Sequence, residues 1–284
     1  GRMSVIASKL PDVIRYDYNG KTWDKTILAQ IPPTGHHNGQ GYRVADLIPG
    51  GHPEILMASL GGIYLLAADD DGVNWGVTHL AVDASDEGFA IGDVDGDGDL
   101  DLASGFRLPG KDPENPLLVV WFANPGDGSP DWTRHEIGMT QHAVDRVEMG
   151  DLDGDGRMDI AVAEELWPDV EPVASLWVYL QRDAGWERHQ VVQQYTMNNL
   201  DMADIDGDGD LDLTTAEHKG PRLSVQVWAN DGHASFTKVE IDTSKENHLG
   251  TRAYDMDGDG DLDLIGAGWD RHQFIHLWRN DAAR

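Results

Sequence analysis

The chain has no cysteine, so neither a disulfide nor a thiolate metal site is available to it. It has no apolar run approaching the roughly 18 residues of a membrane-spanning helix, which removes such a span from consideration. Positive charge is scarce: 21 Lys and Arg face 51 Asp and Glu, for a formal net charge of −30 over 284 residues. That balance excludes nucleic acid as a partner, because neutralising phosphates takes a basic surface. No secretory leader is present, but Gly1 and Arg2 ahead of Met3 read as a tag remnant, so a natural leader is expected to be missing from this sequence.

What the chain has in abundance is one acidic turn. Asp93-Val94-Asp95-Gly96-Asp97-Gly98-Asp99-Leu100-Asp101 recurs, almost unchanged, from Asp151, Asp204 and Asp255. Carboxylates at positions 1, 3, 5 and 9, with glycines at 4 and 6, place hard oxygen ligands around a tight turn, the requirement of Ca²⁺. An EF-hand closes with Glu at position 12 on a helix, whereas here the closing acid at position 9 leads straight into an apolar strand. The side-chain ligands expected are Asp93, Asp95, Asp97 and Asp101; Asp151, Asp153, Asp155 and Asp159; Asp204, Asp206, Asp208 and Asp212; and Asp255, Asp257, Asp259 and Asp263. Position 7, held by Asp99, Arg157, Asp210 and Asp261, is expected to ligate through its backbone carbonyl, since an arginine side chain cannot. Nineteen acids lie in these loops, so much of the net charge is a metal-site signal that four Ca²⁺ would reduce by eight. A solvated acidic turn without metal is the competing reading, and four copies of one spacing disfavour it.

Around each turn the sequence reads as strands. Short apolar segments precede it at residues 89–92, 147–150, 200–203 and 251–254, others follow it, and a third strand carries Trp121, Trp177, Trp228 or Trp278. A polar fourth strand closes most units. Four short antiparallel strands per unit of about 50 residues describe a propeller blade. The fold expected is all-β, a single β-propeller over residues 1–284. Its repeats are approximately 3–31, 42–83, 88–138, 143–193, 198–241 and 250–284. Six blades are expected, with five or seven as alternatives, because the first unit lacks an inner strand and the last an outer one. The calcium loops lie between strands 1 and 2 of four blades. The turn of repeat 42–83 keeps only Asp46 and Glu54 and is expected to bind no Ca²⁺.

These turns and strands resemble the FG-GAP or VCBS repeats, known for calcium-loop propellers such as the integrin α-subunit head. The resemblance covers nearly the whole chain and implies the fold and the calcium sites, but the fold carries many functions. Calcium dependence also implies an extracytoplasmic location, where weak sites can fill.

Function is expected on the rim opposite the calcium turns, where the segments entering successive blades differ. There His37, Arg107, Glu164, Trp167, Glu217, His218, Trp269 and His272 could contact a ligand. Indoles suit the apolar face of a sugar, and the polar groups suit its hydroxyls or a carboxylate. A repeated lectin pocket would repeat its residues; this asymmetry points to one central carbohydrate site. His135 and His189 sit in equivalent Trp-x-Arg-His strands and read as repeat architecture. Three places before each turn stand Arg43, Ala90, Glu148, Asp201 and Arg252. These residues either pair across blades or form a polar channel floor, with Arg252 and Arg146 placed to hold an anion.

A narrower resemblance links Leu118-Val-Val-Trp-Phe-Ala-Asn-Pro-Gly, Trp132-Thr-Arg-His-Glu-Ile-Gly and His142 to the propeller part of anhydrofructose (aldos-2-ulose) dehydratases, over about one blade and a half. Propeller-type polysaccharide lyases offer a related analogy. Both imply β-elimination on a sugar or uronate, with His142 and His248 as base or metal-ligand candidates and Arg146 and Arg252 as electrophilic partners. The His-rich rim leaves room for one further divalent metal. The alternative is a non-catalytic glycan- or protein-binding propeller. Oligomeric state is not legible from these residues.

Overall fold

Apolar alternation between turns rich in Gly and Asp produces 22 strands in six antiparallel sheets in a computed structural model that describes residues 4–36, 38–108, 117–245, 247, 251–268 and 274–281. Blade 1 comprises β1 (Ser4–Lys9), β2 (Asp12–Tyr18) and β3 (Trp23–Gln30). Blade 2 comprises β4 (Tyr42–Ala45), β5 (Glu54–Ser59), β6 (Gly62–Ala68) and β7 (Trp75–Val82). Blade 3 runs β8 (Ala84–Gly92), β9 (Asp101–Phe106), β10 (Leu118–Ala123) and β11 (Thr133–Met139). Blade 4 runs β12 (Ala143–Gly150), β13 (Asp159–Glu165), β14 (Ala174–Arg182) and β15 (Gly185–Gln194). Blade 5 contains β16 (Asp201–Ala203), β17 (Asp212–Ala216), β18 (Val225–Asn230) and β19 (Phe236–Asp242), and blade 6 contains β20 (Thr251–Tyr254), β21 (Asp263–Ala267) and β22 (Ile275–Trp278). The fold is a six-bladed β-propeller, and no described residue is helical.

Each blade is a meander in sequence order. The acidic turn of blade 6 joins β20 to β21, so its three strands correspond to the first three of a complete blade, whereas those of blade 1 correspond to the last three. The second strands, such as β5 and β9, are buried along their whole length, while the fourth strands β11, β15 and β19 are largely exposed and polar. The core therefore lies between blades as a series of apolar layers. Leu56, Ile63 and Leu65 of blade 2 pack on Phe89, Leu102 and Phe106 of blade 3, and Val119 and Trp121 of blade 3 pack on Val147, Val162 and Trp177 of blade 4. Each such side chain contributes about 1.5–3 kcal/mol by leaving water.

The third-strand aromatics are covered by the fourth strand. Tyr64 stacks on His79 with centroids 4.4 Å apart, and Trp121 stacks on His135 at 4.3 Å. In blades 4 and 5 a cation takes that place: Arg188 lies 4.3 Å from the Trp177 centroid and Lys238 5.6 Å from that of Trp228. His135 is thus repeat architecture as expected. His189 differs: it faces Val178 across the sheet and pairs with Glu187 at 3.1 Å.

Candidate functional site

The acidic turns fold by the same set of bonds. Position 4 and position 6 glycines have φ between 74° and 99°, a left-handed conformation that disfavours any side chain. Their N–H groups donate to the two oxygens of the position 1 carboxylate, as Gly96 and Gly98 do to Asp93 at 2.8 and 3.1 Å. The position 9 carboxylates, Asp101, Asp159, Asp212 and Asp263, are buried. One oxygen of each accepts the position 2 N–H at 2.8–3.0 Å, and the other accepts from Asn124, Gln181, Asn230 or Asn280 at the end of the third strand at 2.8–2.9 Å. In blade 2, Glu54 accepts the position 2 N–H of Leu47 at 2.8 Å and, through the same oxygen, the N–H of Ile48 at 3.1 Å, so the turn side of this pin is kept there.

In each of the four turns three carboxylates bring oxygens within 4.8 Å of one another. Burial, backed by the neighbouring aspartates, pushes Asp101 and Asp159 up to about 6 against the backbone N–H bonds they accept. The buried Oδ1 of Asp153 meets no hydrogen-bond donor. An all-oxygen set with surplus negative charge fits a hard divalent cation. The turn of blade 4 differs from the others in carrying two arginines: Arg157 is 2.7 Å from Asp155, and Arg182 is 2.5 Å from Asp153.

Beneath the turns, the residues three places before them pair across the channel. Glu148 receives Arg43 at 2.9 Å and Arg252 at 3.0 Å, and Arg252 also reaches Asp201 at 2.6 Å. Arg252 is therefore held by two carboxylates of blades 4 and 5. Gln40 joins the network through the backbone of Leu200.

The opposite rim gathers unlike residues from two repeat positions. Six places before the turn stand Glu87, Asp145 and Asn198, and six places after its closing acid stand Arg107, Glu165 and His218. Glu87, Asp145 and Glu165 bring oxygens within 4.8 Å of one another. The buried Arg146 guanidinium lies 2.8 Å from Asp145 and 3.2 Å from Glu87. Asn198 donates to Glu165 at 2.7 Å while its oxygen is 3.0 Å from Nδ1 of His218. On the other flank His36 lies 3.1 Å from Glu87 and 3.4 Å from Asp86, and Asp86 also binds Arg107 and Thr34. Burial raises Asp145 well above the carboxylate range and raises Glu87, the adjacent acids adding to the effect and Arg146 opposing it. Asp86 goes the other way: burial would raise it, but hydrogen bonds from His36 and Thr34 and the charge of Arg107 hold it low.

Of the residues expected here, Arg107, Arg146 and His218 are in this cluster. Glu164 is fully buried and accepts from the backbone of Gln141 at 2.8 Å, the backbone of Ser175 at 2.8 Å and the indole of Trp177 at 2.9 Å, so it pins blade 4. Glu217 similarly accepts from Ser224 N–H at 3.2 Å. His142 is half-buried, and its backbone N–H donates to Glu164 at 3.4 Å. Trp167 is 63% exposed, with Lys219 5.4 Å from its ring centroid. His37, His248, Trp269 and His272 lie outside the described residues. Asp145 is the member of this cluster that residue type alone did not single out. Asp145 sits where the β12–β13 register shifts, next to Arg146 in an otherwise apolar run, and two adjacent charges inside a strand are the signal that marks it.

Residues 204–266, spanning the turns of blades 5 and 6, match the family model for the FG-GAP-like repeat. No curated protein matches the chain. That match, together with six antiparallel sheets and the same turn in four of them, supports a β-propeller built of FG-GAP-like repeats.

Proposed function

We propose that the chain is a calcium-stabilised propeller, with one Ca²⁺ in each of its four complete acidic turns, that takes a carbohydrate on the opposite rim and acts on it by β-elimination. The observation that carries the reading is the convergence there of carboxylates, a guanidinium and imidazoles from non-equivalent residues of equivalent repeat positions. One asymmetric set of donors and acceptors suits one polyhydroxylated ligand. The half-exposed His36 and His142 are the imidazoles available to take a proton α to a carbonyl, near neutral pH. A keto-sugar or a uronate offers the carbonyl or carboxyl group beside which such a proton is taken. An extracytoplasmic location follows from the need for abundant Ca²⁺.

A second reading, binding without turnover, has its own support in exposed Trp167, an aromatic platform on the same rim. The test incubates the calcium-loaded protein with a panel of keto-sugars and uronate-containing glycans, following ultraviolet absorbance and product mass. An unsaturated product is expected from a keto-sugar or a uronate. His36→Ala or His142→Ala should lower its formation about a hundredfold with melting unchanged. Intact glycan bound without product across the panel would replace elimination by the second reading.

A further inference from the structure

We infer that Glu87, Asp145 and Glu165 form an additional site for a hard divalent cation, separate from the acidic turns and bridging blades 3 and 4. Three carboxylates offset by one guanidinium leave two negative charges, the charge of one such ion. The cluster alone would not suffice, but its centre is electrostatically incomplete. Asp145 is 1% exposed and its Oδ2 meets no hydrogen-bond donor, while Arg146, equally buried, has two nitrogens, Nε and Nη2, without an acceptor. A carboxylate oxygen withdrawn from water needs a donor or a metal, and the vacant Arg146 donors call for an oxygen such as a metal-bound water. Outer groups already orient the ligands: Asn198 donates to Glu165 at 2.7 Å, Asn38 to Glu87 at 3.4 Å, and His36 lies 3.1 Å from Glu87. The donor set is all carboxylate, not the imidazole set that the histidine content of this rim suggests, which selects Mg²⁺, Mn²⁺ or Ca²⁺ over Zn²⁺.

This site stands independently of the carbohydrate reading, since it binds an ion whether or not a sugar is turned over. Mn²⁺ is the probe. Metal-stripped full-length protein is dialysed to equilibrium against saturating Mn²⁺, and bound metal per chain is measured for the wild type, Glu165→Gln, Glu87→Gln, the turn variant Asp255→Asn and the Glu165→Gln/Asp255→Asn double variant. Glu165→Gln and Glu87→Gln should each lose one equivalent, and the double variant two, with cooperative melting retained. Glu165 and Glu87 are both partly exposed, so neither substitution demands the repacking that Asp145→Asn would. Equal Mn²⁺ content in the wild type and both glutamine variants would overturn the assignment.

Discussion

At one end of the blades four turns hold the same carboxylates in the same hydrogen bonds. At the other, the residue six places before the turn is Glu87, Asp145 or Asn198, and the one six places after it is Arg107, Glu165 or His218. The backbone explains the contrast. The carboxylates at positions 1, 5 and 9 of every turn also accept main-chain N–H groups, and the turn glycines occupy left-handed φ, so substitution there disturbs the loop itself. Among the described residues no main-chain N–H donates to the carboxylates of Glu87, Asp145 or Glu165, and the same strand geometry can present a different side chain in each blade. A repeat protein can thus keep one rim uniform for structure and diversify the other for recognition.

Removing metal from the uniform rim should have the largest effect. Without a cation each turn holds its carboxylates close together, so Ca²⁺ is expected to add about 2.7 kcal/mol per site at a hundredfold excess over its dissociation constant. For a chain of this size that is about 5–10 °C in melting temperature per site. Thermal melts in Ca²⁺ and in chelator check it. An unchanged curve after verified metal removal would contradict a structural role for the turns.

The two rims also differed in how far residue order alone could read them. The turns were legible because their carboxylates lie in one short run and their spacing is local, and the blades followed from strands repeated around them. The ion pairs Arg43–Glu148 and Arg252–Asp201 could be placed on inner strands but not joined, because which ones meet depends on distances across the channel. The Glu87, Asp145 and Glu165 cluster hid for a related reason. Its members share repeat positions but not residue type, so it emerges only when the strands are aligned on the turns. Glu164 shows the sharpest limit. It differs from Glu165 by one place on β13, and in a strand one place exchanges the face: Glu164 is fully buried among donors, while Glu165 reaches the rim.

That neighbouring pair gives the second test of the contrast. Glu164→Gln puts an amide against two backbone N–H donors and the Trp177 indole, and should destabilise the chain by about 2–4 kcal/mol. Glu165→Gln, measured in chelator, should cost about 1 kcal/mol or less. Urea denaturation midpoints for the two variants check the difference. Similar losses would mean that the rim cluster is as much a part of the scaffold as the pin.

The smallest expected effect lies within the uniform rim, at the one turn that departs from it. In blade 4 position 7 is Arg157, where the other turns have Asp99, Asp210 and Asp261, and its guanidinium holds Asp155 while Arg182 holds Asp153. Both arginines are about one-third exposed, so solvent screens much of their charge. They still occupy carboxylate oxygens that a cation would use and place like charge beside it. Arg157→Asp, which restores the position 7 residue of the other turns, is therefore expected to tighten Ca²⁺ binding at this site about threefold to tenfold. Calorimetric titration with and without the substitution, in a background where the turns of blades 3, 5 and 6 are disabled by Asp93→Asn, Asp204→Asn and Asp255→Asn and the rim cluster by Glu165→Gln, resolves the change. Unaltered affinity would show that the arginines swing clear when the ion binds, leaving blade 4 equivalent to its neighbours in the bound state.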